Sequence, residues 1–282
     1  MSDYQQLRFQ LPPALEEELV AWLWDHGTLG VQCDSVGSDL MLTAYFPRQA
    51  APAVDAVWQA RGVRLAETRA FADQDWLATY WALAVPFEVG RGFVIDPRDP
   101  AAGLDRPPAT ADRSSGRSLL RIPAREAFGV GSHETTRLAI ALLEDAGCAG
   151  ARVLDVGTGS GILAFAAERL GAAAVVAFDL DPVAMIHARH NASLNHCAPR
   201  CFAGSAAALG AATFDRLVIN VLPERIDADL AGLVARCRDG AEVILSGVLT
   251  VRRDEVLARW RGLGFEPAGE RTDGDWIAFR LR

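Results

Sequence analysis

Three glycines at alternate positions, Gly157, Gly159 and Gly161, follow the apolar segment Val153-Leu154-Asp155-Val156. A second apolar run from Ala174 ends in Asp179, 22 positions after the first glycine. Residues of these types in this order predict strand, tight turn, helix, strand and acid, the parts of a nucleotide or nucleoside pocket. Glycine lets the backbone turn sharply and come close to a ligand. The helix start behind the turn offers unpaired N–H groups. A carboxylate at the second strand end is placed to accept both hydroxyls of a ribose.

The spacing selects among ligands. Dinucleotide sites carry G-x-G-x-x-G, whereas here it is G-x-G-x-G, with Asp155 two residues before the first glycine. A carboxylate there repels a pyrophosphate and suits a cationic group, such as the amino group of S-adenosylmethionine. A turn with no ligand and a nicotinamide site are the weaker readings.

The elements that must position these residues follow from the pattern downstream. Asp181-Pro182 marks a helix start, an N-cap acid and then proline, with Val183, Ile186 and Leu194 expected on the buried face. Residues 215–220 and 242–247 read as buried strands, and Asn220 closes the first of them. That is the end of an open sheet where ligands sit. A helix near 250–262 precedes two strands, 265–271 and 275–281, joined at Asp273-Gly274, a hairpin signal. A parallel sheet with a terminal antiparallel hairpin is the layout of class I methyltransferases. Upstream, Phe128–Thr136 opens a helix; two glycines just before it suggest a mobile flap over the cofactor, and the plainer alternative is ordinary capping with Ser132 as N-cap. His187, His190, Cys197 and Cys201 lack a zinc spacing, so no metal site is expected.

Residues 1–70 read as β-α-β-β-α-β, the ferredoxin-like split unit, expected to recognise the substrate. Residues 71–96 form an expected linker, with a helix over 73–83 and then a strand. Residues 97–118, rich in Pro, Asp, Arg and Ser, are expected to be a mobile loop. Residues 119–282 are the expected cofactor domain. The fold class is therefore α/β, with a small α+β domain in front.

Composition narrows the partners. A net charge of −8 disfavours nucleic acid and suits a basic protein. Five cysteines without a disulfide framework point to a reducing cytoplasm. No apolar stretch reaches membrane-spanning length and no secretory leader is expected. All 28 basic residues are arginine, with no lysine anywhere. Codon bias accounts for this simply; the sharper idea is an enzyme that modifies lysines and offers none of its own.

Four stretches carry a resemblance: Phe128-Gly-Val-Gly-Ser-His-Glu-Thr-Thr136, Val153–Ala164, Asp179-Leu-Asp-Pro182 and Ile219-Asn-Val-Leu222. Ser246-Gly-Val-Leu249 adds to it. The chain resembles the PrmA family, methyltransferases of the large-subunit ribosomal protein L11. Val130 and Ser132 stand where that family usually carries threonines. The resemblance implies S-adenosylmethionine as cofactor, held by Thr136, Gly157, Asp179 and Asn220, with Gly159 in the same turn. It also implies lysine side chains, or an N-terminal amine, as acceptors, with Asn220 as the catalytic residue. Asn220-Val-Leu-Pro223 departs from the Asn-Pro-Pro-aromatic of glutamine and adenine methyltransferases. Alternatives are a similar lysine methyltransferase of electron transfer flavoprotein, a nicotinamide-dependent oxidoreductase and a non-catalytic binding module.

Overall fold

A computed structural model of the chain describes residues 4–37, 39–47, 52, 56–71, 84–98, 116–123 and 131–282. The chain divides into two compact units, residues 1–82 and 83–282.

In the first unit, β1 (Tyr4–Leu11), α1 (Glu16–Asp25), β2 (Gly30–Val36), β3 (Asp39–Pro47), α2 (Ala56–Ala60) and β4 (Arg64–Phe71) follow in turn. The strands form one sheet in the order β2-β3-β1-β4, with every neighbouring pair antiparallel. Alternation along β1 turns Leu7, Phe9 and Leu11 inward. There they pack with Leu19 and Leu23 of α1 and with Leu42, Phe46 and Trp58.

The second unit opens with β5 (Phe87–Val89), β6 (Phe93–Asp96) and β7 (Ser118–Arg121), a small sheet in that order. The strand expected in a linker thus lies inside this unit. Val89, Phe93, Ile95 and Leu120 are buried in its main core. Ser118, expected at the end of a loop, already begins β7. The helix expected over 73–83, residues 99–115 of the expected loop and residues 128–130 of the expected flap lie outside the described residues.

Next come α3 (Glu134–Ala146), β8 (Arg152–Val156), α4 (Ile162–Arg169), β9 (Ala174–Asp179), α5 (Pro182–Asn195) and β10 (Arg200–Ala203). They are followed by β11 (Phe214–Asn220), α6 (Pro223–Ile226), α7 (Leu230–Val234), β12 (Cys237–Leu249), α8 (Arg253–Gly262), β13 (Pro267–Asp273) and β14 (Trp276–Leu281). The seven-stranded sheet runs β10-β9-β8-β11-β12-β14-β13. Its first five strands are parallel and β14 is antiparallel to both neighbours. Apolar clusters cover both faces, as a largely parallel sheet requires. This is the layout of a class I methyltransferase.

One expected face was wrong. Asp181 caps α5, its Oδ1 accepting from the Val183 N–H at 2.8 Å, but Val183 and Ile186 are 44% and 65% exposed. The buried face carries Ala184, Met185, Ala188, Asn191, Ala192 and Asn195. Two stripes of this helix fit a 3.6-residue period. The one against the sheet is built from small side chains and from two amides that find partners there.

At the opposite end of the sheet from the glycine turn, Glu242 of β12 accepts from Arg216 (2.8 Å), Arg280 (2.8 Å) and Arg282. Burial pushes its carboxyl up, but the three arginines outweigh burial and hold it at about 2, against 4.5 when free. The stabilisation is complete above pH 4.5 and is lost as pH falls toward about 2. Glu242→Gln is expected to cost about 3 kcal/mol at pH 7, since it leaves Arg216 buried beside a neutral group. It should also flatten the loss of stability between pH 4.5 and 2. Urea unfolding against pH checks both, and wild-type and variant curves that stay parallel would refute the assignment.

Candidate cofactor site

Chain order and sheet order diverge at β8. The chain leaves β8 for β9 and β10 on one side and then returns to place β11 on the other. Such a switch opens a crevice at the carboxyl ends of the strands. The register decides what stands there. Val156 pairs with Phe178 and with Ile219, and Ile219 with Leu245. The next residues in line are therefore Gly157, Asp179, Asn220 and Ser246, one row from four strands.

Close packing in this row depends on missing side chains. Gly157 has φ +68°, and a Cβ on it would lie 2.5 Å from Val221 Cγ1. Gly247 has φ +80°, and its Cβ would lie 2.7 Å from the Val221 carbonyl oxygen. The residue after Asn220 is thus clasped by glycines from two other strands. Gly161, at φ +88°, would strike the Phe165 ring. The sequence marked Gly157 for ligand approach; its tighter constraint is the neighbouring chain. Gly247 and Ser246 were seen only as part of a motif, with no signal of what they touch.

The turn's amides are largely used within the protein. Gly157 and Thr158 N–H donate to the Phe178 carbonyl at 2.9 and 3.0 Å, and Gly161 N–H donates to Thr158 O at 2.9 Å. Ile162 N–H donates to Ser160 Oγ at 3.4 Å. The expected set of free N–H groups is therefore not what the turn presents. It presents Asp179. Its Oδ2 accepts from Gly159 N–H and its Oδ1 from Asp181 N–H, both at 3.0 Å. Each oxygen keeps a second lone pair, so the carboxylate is aimed and still able to take a diol.

Asp155 is 1% exposed. Its Oδ2 accepts from Thr158 Oγ1 at 2.6 Å and from Ala164 N–H at 3.1 Å. Burial pushes its carboxyl up to about 7, against the pull of those two bonds. Its Oδ1 is buried without a partner among the described residues. One oxygen therefore builds the turn, and the other is an orphan acceptor of the kind a cationic amine satisfies.

Across the crevice, Asn220 Nδ2 donates to Thr136 Oγ1 at 3.2 Å, leaving Oδ1 as the acceptor at the rim. Thr136 is fully buried on the first turn of α3. That turn is pinned by Ser246 Oγ, which donates to the Thr135 carbonyl at 2.8 Å. The N-cap is His133, not Ser132: His133 Nδ1 accepts from Thr135 N–H at 3.3 Å. Its ring stands edge-on to Trp276 at 5.3 Å, a neighbour that only the terminal hairpin supplies. At the far end of α3, Glu144 accepts from Arg91 N–H (2.8 Å) and Gly92 N–H (2.6 Å). The fold brings Gly157, Gly159 and Asp179 together on one side and Thr136 and Asn220 on the other. No cluster of three metal-ligating side chains exists among the described residues.

Gly247→Ala is expected to cost about 2–3 kcal/mol, because it adds positive-φ strain to a contact with rigid backbone. Thermal unfolding measures it, and an unchanged midpoint would mean that Val221 yields freely.

The chain matches the family Ribosomal protein L11 methyltransferase (PrmA) over residues 3–282. A relative in Pelobacter propionicus named ribosomal protein L11 methyltransferase is 38% identical over 216 residues, 74% of this chain and 67% of that protein. One of the same name in Myxococcus xanthus is 30% identical over 295 residues, 99% of this chain and 98% of that protein. The crystal structure of a ribosomal protein L11 methylase from Lactobacillus delbrueckii subsp. bulgaricus is 29% identical, with a TM-score of 0.62 over 70% of this chain and 97% of that one. The chain therefore belongs to the ribosomal protein L11 methyltransferase family and is an enzyme that uses S-adenosylmethionine.

Proposed function

We propose that the enzyme methylates amines of ribosomal protein L11, at lysine side chains and at an N-terminal amine. The observation that carries this reading is the pairing of Asn220 with Thr136 across from Asp179, in a chain related over nearly its whole length to enzymes named for that substrate. The net charge of −8 supports a basic protein partner.

When bound, S-adenosylmethionine supplies a methyl group already activated on a sulfonium. Asp179 would accept the ribose hydroxyls, and the orphan Asp155 Oδ1 fits the amino group. Gly157 and Gly159 let the backbone lie close to the ligand. Leu180, exposed beside Asp179, offers apolar surface to the base. The remaining task is alignment: a neutral amine in line with the methyl group, with water excluded. Asn220 Oδ1 would accept an amine N–H and so point the nitrogen lone pair. A lysine must lose its proton first, and burial beside a positive charge lowers its pKa without a dedicated base.

The order β2-β3-β1-β4 supports a ferredoxin-like reading of residues 1–70. We assign that unit to substrate recognition and residues 119–282 to methyl transfer. Five unpaired cysteines support the cytoplasm.

Two measurements test this. Labelled methyl transfer into ribosomal proteins from an unmethylated extract should place label on L11 amines, located by mass spectrometry. The enzyme has no lysine to label, so background is low. Label on a different protein, or none, would overturn the assignment. Asn220→Ala should lower kcat by about 100-fold and stability by only about 1 kcal/mol. Equal loss of both would make Asn220 a structural residue.

A further inference from the structure

We propose that Asn191 and Asn195, which no resemblance or spacing marked, are positioning residues for the cofactor. They act as a buried relay that ties the glycine turn to strand β7. This rests on S-adenosylmethionine lying at that turn. The two asparagines sit one helical turn apart on the inner face of α5 and are 1% and 3% exposed. Asn191 Nδ2 donates to the carbonyl of Ser160, inside the turn, at 3.0 Å. Asn195 Nδ2 donates to the Asn191 carbonyl at 2.8 Å. Asn195 also meets the backbone of Arg121, the last residue of β7, in both directions. Its Oδ1 accepts the N–H at 2.7 Å and its Nδ2 donates to the carbonyl at 2.8 Å. A guanidinium of α4 closes the assembly, Arg169 NH2 donating to the Asn195 carbonyl at 2.5 Å.

Stability does not explain Asn191. Its Oδ1 is buried with no partner among the described residues, a cost of about 1–3 kcal/mol against the ~1 kcal/mol that its one side-chain bond contributes. What that bond does supply is direction. The amide reaching from α5 holds the Ser160 carbonyl. Ser160 follows Gly159, whose N–H aims Asp179. The end of β7 leads in sequence to α3 and Thr136. The relay therefore ties the part of the chain that orients the ribose acceptor to the end of β7.

The test uses the full chain and S-adenosylhomocysteine as the probe, with affinity by calorimetry and stability by thermal unfolding. Asn191→Ala should raise the dissociation constant about tenfold, since small misplacements of binding groups are costly. Its midpoint should fall no further than that of Val243→Ala, a core truncation on β12 that touches none of these groups and should leave the dissociation constant unchanged. Asn195→Ala should also weaken binding. The double variant should be no weaker than about the stronger single effect, because members of one network are not additive. A dissociation constant for Asn191→Ala within twofold of wild type, or a rise matched by Val243→Ala, would overturn the proposal. Fully additive effects of the two asparagines would overturn the relay. Wild-type chain that binds no S-adenosylhomocysteine would defeat the cofactor reading as well.

Discussion

The site depends on one constraint, the tightness of parallel pairing at the switch point between β8 and β11. Val221 passes between Gly157 and Gly247 with no room for a methyl group on either side. That clasp holds Asn220 level with the glycine turn and lets its amide reach Thr136. A wider gap would still give an α/β sheet, but with the two walls of the crevice out of register. The left-handed φ of each glycine and the crowding around it are one requirement, because the chain must turn away at the point where the next strand arrives.

Electrostatically the crevice works through placed carboxylates more than through exposed backbone dipoles. Most amides of the turn are consumed in building it, and what they build is the position of Asp179. Asp155 divides its two oxygens between structure and an unfilled acceptor. Its raised pKa, about 7, expresses the cost of keeping a charge there until a cation compensates it. At the other end of the sheet Glu242 stands in the reverse situation, over-supplied with arginines and held ionised. One sheet thus carries an acid short of partners at its ligand end and an acid saturated with them at its far end.

Polar side chains of α5, α3 and β12 connect these features. Asn191 and Asn195 address backbone, as do Ser246 and Glu144. Between them they fix the glycine turn, the end of β7, the first turn of α3 and the turn before β6. Buried amides and hydroxyls specify geometry where apolar packing alone would leave several arrangements open.

The sequence by itself determined the strand-turn-helix-strand unit, the acid that ends it and the closing hairpin. Each is written in local chemistry: glycine at alternate positions, an apolar run ending in Asp179, an Asp-Gly turn. It also placed Asn220 at a strand end, and the resemblance singled out Thr136. Tertiary structure alone decided that Asn220 meets Thr136, 84 positions away, that His133 rather than Ser132 caps α3, and that α5 buries its alanines and asparagines instead of Val183 and Ile186. The reason is physical. Periodicity says that a helix has an inner face, but where two faces are nearly balanced only the shape and unpaired groups of the opposing surface choose between them. The partners of a buried amide come from chain far away in sequence, and no local pattern records them.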